Sequence, residues 1–248
     1  MLTEPLIKQL HHLRLKGMAA ALEQQLASPD STGCGFEDRL GLLIQHEIVE
    51  RAGLRFAQRI RWAKLPQQAC LEDLDTRTAR GMDPAQLAQL TDLAWIRQHL
   101  NVILTGPTGV GKSYLGAALA HAACRADLSV RCFRLPRLID ELTRYAALQK
   151  RATLFKQLAK VDLLVIDDFG LAPLSDQTVR DLLEILDDRY DRASTLITSQ
   201  LPLDQWHAYL GDRTVADAIL DRLVHNAYKI TLKGDSMRKA KSLSKKGR

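Results

Sequence analysis

The chain has 248 residues, enough to bury one full hydrophobic core with a smaller appendage. Hydrophobic residues make up 46% and charged residues 26%, which excludes a disordered polar chain. Neither a membrane-length apolar run nor a secretory leader pattern is visible, so a cytoplasmic protein with no membrane partner is expected. The net charge of +6 is concentrated at the end: Lys229 to Arg248 holds eight basic residues against one acid, a segment suited to a polyanion or to a solubilising tail.

Residues 4–26 carry Leu6, Leu10, Leu13, Gly17 and Ala20 at steps of three and four, which predicts one helix. Ser28 to Gly33 breaks it, and a longer helix is predicted from Phe36 to about Lys64, with Leu40, Ile44, Ile48, Ala52 and Phe56 recurring every four residues. A neighbouring face of that helix carries Arg51, Arg55 and Arg59, a spacing that suits either a phosphate backbone or an ordinary solvated surface. Leu65 to Arg80 is polar and irregular. The expected organisation is a helical N-terminal domain over 1–66, a linker over 67–80, a core over 81–236 and a basic tail over 237–248. Within the core, apolar runs at 101–106, 128–135, 161–169, 194–200 and 227–233 alternate with helical stretches, the pattern of an α/β parallel sheet covered on both faces. Cys34, Cys70, Cys124 and Cys132 lack metal-ligand spacing and are read as reduced, mostly packed thiols.

Gly106-Pro107-Thr108-Gly109-Val110-Gly111-Lys112-Ser113 matches the Walker A pattern and sits between an apolar strand and a helix. Its glycines let consecutive N–H groups turn inward around phosphates at a helix N-terminus. Lys112 is expected to reach the β- and γ-phosphates of ATP and Ser113 to ligate Mg²⁺, with Tyr114 extending the nucleotide contact. Leu163 to Asp168 is the matching Walker B strand. There Asp167 would hold Mg²⁺ and Asp168 would orient or deprotonate the attacking water. The strand Ser194 to Gln200 offers Ser199 or Gln200 as a polar group near the γ-phosphate, or simply as a strand cap.

These motifs, with ITSQLP, the ILDRL segment at Ile219 to Leu223 and KGDSMR at Lys233 to Arg238, resemble the DnaC/IstB clade of AAA+ P-loop ATPases. LRLKGMAAALEQQL at Leu13 to Leu26, DRLGLLIQHEIVER at Asp38 to Arg51 and AKLPQQACLEDLD at Ala63 to Asp75 resemble the IstB transposition helpers in particular, so the likeness covers nearly the whole chain. It implies a bacterial, nucleoid-associated ATPase stimulated by DNA. Such a protein would assemble as a homo-oligomer on duplex DNA, remodel it, and stimulate the transposase of the same insertion sequence. It also implies that Arg222 is an arginine finger acting on a neighbouring subunit's ATP; the plain alternative is a salt bridge with Asp221 or Asp217. Arg238 would approach the nucleotide or DNA. Two departures stand out. Walker B ends Asp-Asp where most AAA+ proteins have Asp-Glu, which implies slow, partner-dependent hydrolysis, and little sequence follows the last strand for a separate helical lid domain.

No helix-turn-helix or zinc-finger signature appears, so DNA contact is expected to be largely sequence-independent. Candidates are Arg144, Lys150 and Arg151, the Arg51/Arg55/Arg59 stripe, and Arg238 and Lys239 of the tail. A DnaC-like replicative helicase loader is the alternative within the clade, and a small-molecule P-loop kinase the alternative outside it.

Overall fold

The computed structural model describes residues 3–27, 33–74, 81 and 83–237, so Arg238, Lys239 and the rest of the basic tail lie outside the described residues. Two compact units divide at Gln58 and Arg59, inside the long helix rather than at residue 66.

In the first unit the single helix predicted over 4–26 is two, α1 (Thr3–His12) and α2 (Lys16–Ala27). Arg14 adopts φ 60°, Leu15 N–H donates to Leu10 O at 2.8 Å and Arg14 N–H to His11 O at 3.0 Å. This paired bonding closes α1 with a left-handed residue. The apolar spacing runs through the break and conceals it. Its consequence is that Leu6, Leu13 and Ala20 are exposed, whereas Gly17, Ala19, Ala21 and Leu22 are buried. The helix α3 (Phe36–Ala63) has the predicted extent, but Leu40, Ile44 and Ile48 on its apolar stripe are exposed.

Gly17 is where α2 meets α3. A Cβ there would lie 2.6 Å from His46 O and 2.7 Å from Glu47 Cα, so only glycine permits the approach. The buried Glu47 carboxylate accepts from Gly17 N–H at 2.8 Å and Met18 N–H at 3.2 Å, capping the first turn of α2. Burial works to raise the Glu47 pKa, but Arg51 and these two N–H groups outweigh it and hold the carboxyl below its ordinary value.

The second unit holds the short helices α4 (Pro84–Thr91) and α5 (Ala94–Arg97) and a five-stranded sheet in the order β2-β3-β4-β1-β5, formed by β1 (Asn101–Thr105), β2 (Val130–Arg134), β3 (Leu163–Phe169), β4 (Ser194–Ser199) and β5 (Ala227–Thr231). Every pairing is parallel, as the alternation of strands and helices predicted. Helix α6 (Lys112–Arg125) covers one face. Its small residues bring it close, and a Cβ on Gly116 would sit 3.3 Å from Leu196. The other face buries Ile103, Phe133, Leu164, Ile166 and Ile197 against α7 (Leu135–Ala147), α8 (Arg151–Ala159), α9 (Asp176–Arg189), α10 (Trp206–Leu210) and α11 (Arg213–Val224). Such coverage on both faces explains the continuous apolar character of the strands. Cys124 and Cys132 are buried free thiols, with burial pushing Cys124 up to about 11, while Cys34 is exposed.

The predicted linker is partly core. Ala69 packs with Ala117 and Ala118, Leu74 is buried, and Glu72 pairs with Arg125 at 2.5 Å. The last residues of α3 also belong to this unit. Arg59 donates to Cys124 O at 2.9 Å and pairs with Asp127, and Arg131 donates to Trp62 O at 2.6 Å while stacking over its ring. Among the described residues no helical domain follows β5.

Gly17→Ala is expected to destabilise the first unit by about 1–3 kcal/mol, the usual cost of overpacking. Limited proteolysis should then cleave within residues 1–58 before the core is attacked; parental resistance throughout would show that α2 can move away from α3 without penalty.

Candidate active site

The strands deliver their C-terminal ends to one edge of the sheet, where a cavity of about 690 Å³ is lined by residues of the P-loop, β2, β3 and the turn after β4. In open parallel sheets this edge is where ligands bind.

The P-loop is shaped by its glycines. Gly106 has φ 139°, and a Cβ there would sit 2.2 Å from Leu232 O; Gly109 has φ 87°, with Ser236 Oγ 2.3 Å from the corresponding point. The segment after β5 therefore presses on the loop, and Met237 N–H donates to Gly109 O at 3.0 Å. The buried Lys112 ammonium donates to Gly106 O at 2.7 Å and Pro107 O at 2.8 Å, which holds it across the loop. Val110 is buried beneath. Thr108, Gly109, Gly111, Ser113 and Tyr114 face the cavity, and the Tyr114 hydroxyl donates to Cys70 O at 3.4 Å.

Asp167 is buried, and its Oδ1 accepts from Ser113 Oγ at 2.7 Å and from Thr198 Oγ1. Two hard oxygens, Ser113 Oγ and Asp167 Oδ1, thus converge at the foot of the loop, a donor set that fits Mg²⁺. Asp168 takes φ 62°, a left-handed conformation that aspartate tolerates better than most residues, at a register shift between β3 and β4. Its N–H donates to Thr198 Oγ1 at 3.2 Å, and its carboxylate is held by Arg134 at 2.7 Å from Nε and 2.5 Å from Nη2. The hydrogen bond to Asp168 raises the Arg134 pKa above its ordinary value.

The structure separates Ser199 from Gln200. Ser199 is fully buried, donates to Phe169 O at 2.7 Å and accepts from Leu201 N–H at 3.0 Å, so it closes the end of β4 and does not line the cavity. Gln200 lines it and accepts from Thr108 Oγ1 at 2.6 Å. Sequence reasoning passed over Thr198 and Arg134. Thr198 lies within β4, two residues before Gln200, and was detectable as a polar residue in an apolar run. Arg134 becomes a neighbour only through the parallel pairing that sets it opposite Asp167.

The remaining candidates lie elsewhere. Arg222 does not line the cavity of its own chain; it pairs with Asp187 at 2.6 Å and only loosely with Asp221 at 3.8 Å, while Asp217 is taken by His207 at 2.9 Å. The arginine stripe on α3 is not a continuous free surface, because Arg51 pairs with Glu47 at 2.6 Å and Arg59 anchors to Cys124 O and Asp127; Arg55 is exposed. Arg144 pairs with Glu141 and lies over Tyr145, Lys150 is exposed, and Arg151 pairs with Asp181 at 3.3 Å. Among the described residues no cluster of three or more His, Cys, Asp or Glu could hold a metal ion, and no helix is long and apolar enough to cross a membrane.

Comparison with known proteins accords with this geometry. Residues 8–245 match the model of the IstB-like ATP binding protein family. A curated insertion sequence ATP-binding protein of Sinorhizobium fredii is 46% identical over 96% of this chain and 98% of its own length. Among solved structures, DnaI superposes with a TM-score of 0.57 at 24% identity, covering 67% of this chain and 92% of that one. The DnaC helicase loader does so with 0.55 at 20%, covering 66% and 97%. At these identities the two structures establish the shared fold.

Thr198→Val removes the hydroxyl that orients Asp167. Mg²⁺-dependent nucleotide binding should weaken about 10- to 100-fold, as when a metal ligand loses its outer partner. Calorimetric titration of ATP with and without Mg²⁺ checks this, and parental affinity in both would remove Thr198 from the site.

Proposed function

Because the chain belongs to the IstB-like ATP-binding protein family, we propose that it is a Mg²⁺-dependent, DNA-stimulated ATPase that oligomerises on duplex target DNA, remodels it and stimulates the transposase of the same insertion sequence. The observation that carries the reading is the convergence of Lys112, Ser113, Asp167 and Asp168 on one cavity at the C-terminal edge of the sheet. Relatives 46% identical bear the insertion-sequence name, which favours this reading over helicase loading.

In this reading the loop N–H groups and Lys112 bind the triphosphate, and Tyr114 borders its nucleoside end. Ser113 and Asp167 would hold Mg²⁺, which neutralises phosphate charge when bound. Asp168 orients or deprotonates a water, whose oxygen bonds to the γ-phosphorus as the bond to the ADP oxygen breaks and ADP leaves with the electron pair. Gln200 contributes a polar contact near the γ-phosphate.

Two features support action as an oligomer. Arg222 lies off its own cavity and is half-buried on an exposed carboxylate, Asp187, which is consistent with a role at a neighbouring copy's nucleotide. The exposed Leu40, Ile44 and Ile48 of α3 are apolar surface of the kind that marks interaction sites. For DNA, Lys150, Arg55 and Arg144 remain as phosphate contacts, with Arg238, Lys239 and the tail as further candidates outside the described residues.

Lys112→Ala should lower ATP affinity roughly ten- to hundredfold, for charge-assisted bonds worth about 1.5–3 kcal/mol. Arg222→Ala should bind ATP normally and fail to hydrolyse it. Mixing the two variants should restore phosphate release at hybrid interfaces, and silence at every mixing ratio would rule out action between subunits.

A further inference from the structure

Residues 66–73, whose polarity predicted a linker, lie as a strap along the outer side of α6. Gly116 of that helix turns toward Val165, Leu196 and Thr198 of the sheet, so Tyr114 and Ala118, two residues to either side, face away from it at about 3.6 residues per turn. The strap covers that outward side: Ala69 and Leu71 pack with Ala117 and Ala118, and the Tyr114 hydroxyl donates to Cys70 O at 3.4 Å. It closes in a turn in which Leu74 N–H donates to Leu71 O at 3.1 Å, and two neighbouring acids leave this turn in different directions. Glu72 reaches Arg125, at the far end of α6, at 2.5 Å, while Asp73 lines the nucleotide cleft together with Pro66 and Gln67. The cleft's other carboxylates are engaged, Asp167 by Ser113 and Thr198 and Asp168 by Arg134. Asp73 has no hydrogen bond or ion pair among the described residues.

We propose that Asp73 is a specificity-determining residue that accepts hydrogen bonds from the ribose 2′- and 3′-hydroxyls of the bound nucleotide, so that the site takes ribonucleotides in preference to deoxyribonucleotides. An ionised carboxylate only accepts hydrogen bonds. The phosphate oxygens of ATP have no proton to offer it and repel its charge, which leaves the sugar hydroxyls and the amine of the base as the donors the ligand carries. The order of the phosphates along the loop decides between them. Lys112 reaches the β- and γ-phosphates and the loop N–H groups cradle the α- and β-phosphates, so the nucleoside emerges past Tyr114. The sugar is joined directly to the α-phosphate and the amine stands at the remote end of the base, so a strap fastened to Tyr114 meets the sugar first. Two adjacent hydroxyls match the two oxygens of one carboxylate, and an acidic side chain reads ribose in the same way in dinucleotide-binding folds.

This assignment rests on the nucleotide reading above, and the two fail in distinguishable ways. The full-length parent, Asp73→Ala and Asp73→Asn are titrated calorimetrically in Mg²⁺ with ADP, 2′-deoxyADP, 3′-deoxyADP and inorganic tripolyphosphate. The parent should bind ADP roughly three- to tenfold more tightly than either deoxy form, less than a fully desolvated charge-assisted bond would give because Asp73 is exposed. Asp73→Ala should bring the three nucleotides to one affinity, and Asp73→Asn, which keeps one acceptor oxygen, should retain part of the preference. Both variants should bind tripolyphosphate as the parent does. A parent that binds ADP and its deoxy forms equally overturns the assignment, as does an Asp73→Ala protein with the parental preference. Loss of tripolyphosphate binding in Asp73→Ala in step with ADP overturns it as well, because Asp73 would then be supporting the phosphate loop. A parent that binds none of the four overturns the nucleotide reading itself.

Discussion

A buried carboxylate oxygen without partners is costly, and Asp167 answers that cost with two hydroxyl groups drawn from different elements. Ser113 comes from the start of α6 and Thr198 from β4, while Asp167 itself ends the apolar run of β3. This one oxygen fixes the P-loop, the middle strand and its neighbour relative to one another. The rest of the site is arranged around that junction: β1 carries the loop in on one side of β4, and β3 carries the carboxylates in on the other. The order β2-β3-β4-β1-β5 is thus more than a way of covering a sheet. It leaves β4 between the two phosphate-handling strands, so that a hydroxyl in the middle of the sheet can satisfy both Asp167 and the backbone of Asp168.

The same junction explains why the second carboxylate differs from the first. Thr198 accepts the Asp168 N–H that the strand ladder leaves over, the register shifts, and Asp168 enters the left-handed region. Backbone in such a conformation persists where the surroundings determine it, and here they do so on both sides. The turn takes Asp168 out of the buried layer and presents it at the mouth of the cleft. One carboxylate is thereby fixed by two hydroxyls and the other gripped by an exposed arginine.

Much of this was legible in the amino-acid order. The strand-to-helix position of Gly106 to Ser113 and the apolar run ending in Asp167-Asp168 follow from the local chemistry of phosphate binding, which uses contiguous residues. Sheet class followed from the alternation of apolar runs with helical periods. What escaped depends on contacts between distant segments or on a single backbone angle. Arg134 meets Asp168 because β2 lies beside β3. The stretch predicted as a linker looked polar, yet Ala69 and Leu71 pack with Ala117 and Ala118 and fasten it to α6. Arg14 turned one helix into two without disturbing the apolar spacing, since hydrophobic periodicity reports which residues are apolar and is blind to one φ angle. The choice between Ser199 and Gln200 turns on where β4 ends: Ser199 is its last residue and is spent on Phe169 O and Leu201 N–H, while Gln200 lies just past it and lines the cavity.

The segment following β5 completes the cleft from the side opposite Arg134. Leu232 lies against Gly106 and donates its N–H to Thr105 O, and Ser236 and Met237 close on Gly109, so residues 232–237 meet the phosphate loop directly at two of its three glycines. Any side chain at Gly106 or Gly109 would push the segment off and open the cavity wall that Met237 supplies. The glycines therefore meet two demands at once: they permit the positive φ angles of the loop and they leave the space into which the chain after the last strand packs. Movement of the loop on filling would be transmitted to that segment by contact. The cleft is consequently bordered on two sides by elements that continue to the protein surface, the arrangement required of a nucleotide site whose state is to be sensed elsewhere.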